Sequence, residues 1–217
     1  MPRSTTLSPT DAVRELRRAT KALAAADPAM RALIERAGPC TLSTTPGRGH
    51  FAALVRSIAY QQLAGKAAAA IHGRFLALVP GTLTPEAVLA LSEEDMRSAG
   101  LSGAKTASIR DLAAKSLDGT APLRGVSRLA DEEIVTRLSQ VRGIGRWTAE
   151  MFLLFELCRR DVWPVDDYGV RTGYKLIHDL PDLPAPKALM ALGDLYRPYR
   201  SVAAWYCWEA VHLSRAR

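Results

Sequence analysis

Apolar residues recur at helical intervals through nearly the whole chain. Val13, Leu16, Thr20 and Leu23 mark one amphipathic face. Asp27-Pro28 opens a second helix, since Asp favours the N-cap and Pro the first turn, and Gly38-Pro39 closes it. Phe51, Leu54, Val55, Ile58 and Ala59 repeat as a helix with one buried face should. Gly65 is expected to interrupt this helix before an Ala-rich one running to Phe75. Beyond the turn residues Pro80-Gly81 and Thr84-Pro85-Glu86, short helices are predicted around 85–91 and 93–98, and a longer one over 103–117. Residues 41–49 read as a loop, and no alternating strand pattern of useful length occurs. The expected fold class is all-α, with ten or so helices and no internal repeat. Residues 1–10 are expected to be a disordered tail, and residues 11–217 one helical domain of two lobes. The break in texture at 119–125, around Pro122 and Gly125, is the expected division, with the N-terminal helices packing on the C-terminal lobe.

Composition narrows the function classes. A chain of 217 residues with 48% hydrophobic content can bury a substantial core. Its apolar stretches, such as Ala67 to Ile71, are far too short to cross a bilayer, and no apolar leader follows Met1. A soluble, cytoplasmic, monomeric protein without a membrane role is therefore expected. Cys40, Cys158 and Cys207 are odd in number and widely spaced, which excludes a disulfide framework and a four-cysteine zinc or iron–sulfur cluster. The four histidines are equally scattered, so catalysis without a transition metal is expected. The formal charge of +7 favours a polyanionic partner, nucleic acid above all.

The most informative stretch runs from Leu138 to Ala149, Leu-Ser-Gln-Val-Arg-Gly-Ile-Gly-Arg-Trp-Thr-Ala. A helix from about 131 is expected to end at Val141. Gly143-Ile144-Gly145 then turns the chain tightly into a second amphipathic helix, with Trp147, Met151, Leu154 and Cys158 in phase. Two glycines around an aliphatic residue let the backbone approach a ligand closely and expose amide N–H groups at a helix start, a site suited to phosphate.

These residues resemble the helix-hairpin-helix/Gly-Pro-Asp superfamily of DNA glycosylases, and four further segments extend the likeness over about residues 50–213. Val162-Trp163-Pro164-Val165-Asp166-Asp167-Tyr168 stands where that family carries its Pro-containing loop and catalytic Asp. Arg197 to Tyr206 is similar to the C-terminal signature of the 3-methyladenine DNA glycosylase II branch. Val55 to Leu63 resembles its lesion-wedge segment, and Gly100 to Lys105 its second minor-groove loop. The larger bacterial members of that branch begin with a β-rich domain. This chain begins almost at the helical part, so the compact all-helical subtype is expected.

The resemblance implies a two-lobed helical fold with a cleft between the lobes, duplex DNA containing damaged bases as partner, and hydrolysis of an N-glycosidic bond. A carboxylate near C1′ can stabilise the positive charge that builds on the sugar and orient an attacking water. Of the adjacent pair, Asp167 is expected to be the catalyst and Asp166 a cap or support. Bifunctional members place a nucleophilic Lys two residues after the second hairpin glycine, where this chain has Trp147, so no Schiff base is expected. Nothing in the sequence poises Lys66 or Lys105 for that role. An indole face also suits a cationic alkylated purine. Trp147 and Met151, with Trp208 by resemblance, are the expected base-pocket residues.

By the same resemblance Gln62 fills the hole left by the flipped base, with Leu101 as helper. The amides of Gly143 and Gly145 and Thr148 grip phosphates, and Arg142 and Arg146 add charge. The carbonyls of Ser139, Val141 and Ile144 would hold K⁺ or Na⁺; no catalytic cofactor is implied. Two alternatives stay open: a glycosylase for ethenoadenine, deaminated or oxidised bases, and a non-catalytic reader of damaged DNA.

Overall fold

The computed structural model describes residues 9–42 and 49–216. Among the described residues there are twelve α-helices, two short 3-10 helices and no strand. The chain forms two compact units, residues 1–44 with 153–217 and residues 45–152.

The first unit contains α1 (Pro9–Ala26), α2 (Pro28–Ala37), α10 (Tyr168–Ile177), α11 (Pro186–Leu192) and α12 (Arg200–Arg215). Asp27 caps α2 as its sequence suggests, Oδ1 accepting the amide N–H groups of Ala29 at 2.9 Å and Met30 at 3.2 Å. Its Oδ2 accepts the Tyr196 hydroxyl at 2.6 Å, which ties the start of α2 to the 3-10 helix Gly193–Tyr196. Helix α12 packs on α1, α2 and α10, and burial of Val202, Ala203, Tyr206 and Cys207 makes it the spine of the unit. Against it α10 comes backbone to backbone. A Cβ on Gly173 would strike the Cys207 carbonyl oxygen, so only glycine permits that approach.

The second unit contains α3 (His50–Tyr60), α4 (Gly65–Ala77), α5 (Pro85–Ala90), α6 (Glu93–Ser98), α7 (Gly103–Leu117), α8 (Asp131–Leu138) and most of α9 (Arg146–Phe155). Its centre is α7, which packs against α3, α5 and α6 through buried Ile109, Leu112 and Ala113. Side-chain oxygens of Thr84, Ser92 and Ser102 cap α5, α6 and α7 by accepting first-turn amides, as Ser and Thr do at helix starts.

Several expectations move. The stretch 119–125 divides nothing: Ala121 is buried, its N–H donates to the Lys115 carbonyl at 2.9 Å, and Val126 behind it is buried too. Pro122 and Gly125 supply a turn that folds back on the end of α7, inside the second unit. The chain instead passes from one unit to the other within α9. Gly65 is the first residue of α4 rather than a break within a helix. The helix before the hairpin stops at Leu138, not Val141, and α9 stops at Phe155, so Cys158 lies beyond it, exposed and with φ of 54°. Pro9 and Thr10 belong to α1; the rest of the expected tail and residues 43–48 of the expected loop lie outside the described residues. No helix among the described residues is long and apolar enough to cross a membrane.

Candidate active site and nucleic-acid interface

In the first unit, the segment leading to Asp167 is held from three sides. The Val162 N–H donates to Ser201 Oγ at 3.0 Å, the Trp163 indole N–H to the Leu189 carbonyl at 2.8 Å, and the Asp167 N–H to the Pro164 carbonyl at 3.0 Å. A side chain on Gly193 would collide with the Trp163 ring, so glycine there seats the indole. This anchoring places Asp167 at the N-cap of α10, a buried residue at 9% exposure, while Asp166 beside it is exposed. The expected division of labour therefore changes. Asp167 itself caps the helix, because from the N-cap its Oδ1 reaches the Val170 N–H, three residues on, at 2.8 Å.

The same Oδ1 accepts the Trp208 indole N–H at 2.9 Å. Trp208 comes from α12, and its ring stacks on Phe155 with centroids 5.7 Å apart and planes 22° from parallel. Gly169 makes room, since a Cβ there would lie 2.8 Å from Trp208 Cδ1. Trp208, expected as a wall for the base, is thus also a hydrogen-bond partner of the candidate catalyst. Phe155, which the sequence reading passed over, is its 42% exposed stacking partner. The available signal was the i, i+4 spacing of Met151 and Phe155.

In the second unit, the turn between α8 and α9 stands on one face of α7. Gly143, with φ of 76°, lies so close to α7 that a Cβ would sit 2.5 Å from Ser108 Oγ. One and two turns further on, Asp111 Oδ2 accepts the Arg142 amide N–H at 2.7 Å, and Lys115 Nζ donates to the Gln140 carbonyl at 2.6 Å and to Asp111 at 2.9 Å. Burial opposes ionisation of Asp111, but the Arg142 amide and the Lys115 ammonium outweigh it and hold the carboxyl below its usual range. Ser108, Asp111 and Lys115 recur at i, i+3 and i+7, a pattern legible in the sequence but unassigned until the turn is seen on top of it.

Gly143 and Gly145 are exposed. A Cβ on Gly145 would meet nothing within 4 Å and the residue lacks a positive φ, so the fold itself does not demand glycine there. Close approach of an external group to that backbone would. The leading N–H groups of α9 point out of the helix start, where an anion is favoured. Thr148 sits in that first turn and is buried as a residue, at 6% exposure. Trp147 is 45% exposed and Met151 half-buried. Arg142 is exposed, whereas the Arg146 guanidinium is engaged by Glu132 and lies 3.6 Å from Glu150, so its charge is locally balanced.

Gln62 occupies a tight turn after α3 with φ of 57°, exposed to solvent. Leu101 differs from expectation: it is 3% exposed and part of the core, because the loop 100–102 turns its one apolar side chain inward. The exposed apolar side chain of this region is Leu63, next to Gln62. Lys105, near the loop, donates to the Ala59 carbonyl at 2.8 Å; burial depresses its pKa.

The chain is similar to known proteins over most of its length. Residues 55–198 match the family described as HhH-GPD superfamily base excision DNA repair protein. The chain is 40% identical over 164 residues to DNA-3-methyladenine glycosylase 1 of Schizosaccharomyces pombe, covering 74% of this chain and 72% of that protein. It is 29% identical to the alkylbase DNA glycosidase-like protein mag2 of the same yeast, over 93% and 96% of the two chains. Among solved structures, the S. pombe 3-methyladenine DNA glycosylase in complex with abasic DNA superposes with a TM-score of 0.75 at 36% identity, covering 88% of this chain and 95% of that one. A DNA-3-methyladenine glycosidase from Bacillus halodurans gives 0.83 at 36% identity, over 92% and 91%. With the hairpin, the anchored Asp167 and a family match over most of its length, the chain belongs to the HhH-GPD superfamily of base excision DNA repair proteins.

Proposed function

We propose that this protein is a monofunctional DNA glycosylase that extrudes alkylated bases of the 3-methyladenine type from duplex DNA and hydrolyses their N-glycosidic bond, leaving an abasic site. The observation that carries this reading is a buried carboxylate, Asp167, tied by two N–H donors at a helix start. Its negative charge faces the positive charge that builds on the deoxyribose as the bond breaks, and it orients the attacking water. Because Asp167 also serves as the cap of α10, base release is what separates the enzyme from the non-catalytic reader. The names of the relatives favour alkylated bases over other lesions.

In this reading Gly143, Gly145 and Thr148 are assigned to phosphate, Gln62 to the vacated stack, and Trp147, Met151 and Trp208 to the extruded base, whose unstacking costs a few kcal/mol. The carbonyls of Ser139, Val141 and Ile144 are neutral oxygen donors of the kind K⁺ or Na⁺ takes. Val141 accepts the Ile144 N–H at 3.0 Å and keeps a second lone pair for an ion. The ion would add positive charge beside the phosphate. Trp147 stands where a nucleophilic amine would have to be, so no covalent enzyme–DNA intermediate forms.

Base release from methylated duplex DNA tests the reading. The wild type is expected to release 3-methyladenine, Asp167→Asn to lose at least about a hundredfold in single-turnover rate, and Asp166→Asn to stay near wild type. Borohydride is expected to trap no cross-link. DNA binding without release of any base would leave a damage reader in place of an enzyme.

A further inference from the structure

We propose that Gln61, which neither reads nor touches the base, is a positioning residue that makes phosphate capture by the hairpin and insertion of Gln62 a single event. The inference rests on the roles given above to the hairpin and to Gln62. Gln61 is the C-cap of α3, with its backbone N–H on the Ile58 carbonyl. Its side chain crosses to the hairpin, Nε2 donating to the Gly143 carbonyl at 3.0 Å, 82 residues away in sequence. The next residue is Gln62, left-handed at φ of 57° and closed into a turn by the Leu63 N–H on the Tyr60 carbonyl at 3.3 Å.

Both partners of the Gln61 bond are themselves fixed to α7. Lys105 Nζ holds the Ala59 carbonyl two residues before Gln61, and Ser108 Oγ lies directly under Gly143. Lys105 and Ser108 are one turn apart on that helix. The plug-bearing turn and the phosphate-bearing turn are therefore mounted on the same turn of α7, and the Gln61 amide is the strut joining their free sides. Gly143 offers its N–H face to a phosphate and its carbonyl to Gln61. The two groups belong to different peptide units joined at the Gly143 Cα, so an anion on the former acts on the bond to the latter by fixing the residue between them. Capture of a phosphate then stiffens the turn from which Gln62 enters the duplex.

The test uses Gln61→Met, which keeps length and removes the donor, and Gln61→Glu, a near-isostere that also lacks it. Affinity is measured for undamaged duplex and for duplex with a tetrahydrofuran abasic analogue. The flanking 2-aminopurine fluorescence reports opening of the stack. Loss of one coupled hydrogen bond predicts about a five- to tenfold drop on the abasic duplex and in the fluorescence response, with undamaged-duplex affinity within about twofold of wild type. Gln62→Ala gives a drop of its own, and adding Gln61→Met to it gives no further loss, since the strut then has no plug to place. Multiplying losses in the double variant, equal losses on both duplexes, or wild-type behaviour of both Gln61 variants would overturn the proposal. Should the wild type release no base from methylated DNA, the enzymatic reading fails while these binding ratios still decide the role of Gln61.

Discussion

A single oxygen, Asp167 Oδ1, receives both the α10 cap bond and the Trp208 indole N–H. The cap is a local consequence of the sequence, three residues from carboxylate to amide; the indole arrives from 41 residues away. Trp208→Phe keeps an aromatic face on Phe155 and deletes only the N–H. If the indole orients the carboxylate, kcat falls by about tenfold to a hundredfold with KM little changed, and equally for cationic and neutral lesions. A role confined to stacking on the base would instead raise KM and depend on lesion charge. Charge shows the same limit at this scale. Arg146 counts toward the net +7, yet Glu150 one turn on and Glu132 take up its guanidinium, and the second pairing, across 14 positions, is one the sequence does not reveal.

Among the elements, α7 is more than core filler. One side buries Ile109, Leu112 and Ala113, while Lys105, Ser108, Asp111 and Lys115 on another hold the end of α3 and the hairpin. Its sequence is only weakly amphipathic because two faces are in use, and a periodicity argument detects the first alone. The pairing of α10 with α12 depends on Gly173, where Ala would put a methyl group into the Cys207 carbonyl. Gly173→Ala is expected to cost about 3 kcal/mol and lower Tm by roughly 5–10 °C, measured by thermal denaturation. Since α10 carries Asp167 and α12 carries Trp208, activity at permissive temperature should fall as well.

The molecule as a whole couples stability to pH through His178. It lies 3.4 Å from Asp27 Oδ2 and 3.1 Å from the Tyr196 hydroxyl, with the Tyr174 ring against its face. Burial lowers its pKa below 6.5, and Asp27 pulls the other way without prevailing, because that carboxylate already accepts two amides and the Tyr196 hydroxyl. A depressed histidine pKa means that the unfolded chain binds the proton more readily. The associated stability is complete above about 6.5 and is lost as pH falls from there towards the lowered folded value. Tm should decline over that window, and His178→Asn should flatten the decline; an unchanged slope in the variant would exclude His178 as its source.

From residue types and spacing alone, the helical class, the boundaries of α2, α5, α6 and α7 and the Gly-Ile-Gly hairpin were all legible. Each depends on intervals of three or four residues or on a local cap, and local geometry is what a sequence encodes directly. The partition into units was not, since it depends on the turn after α7 closing back on that helix through Ala121. Nor was the inward turn of Leu101, the stack of Phe155 on Trp208, or the reach of Gln61 to Gly143. Those are contacts between segments tens of residues apart, decided by which apolar faces bury together. Only the packed chain brings an indole to a carboxylate and a hairpin to the turn that serves it.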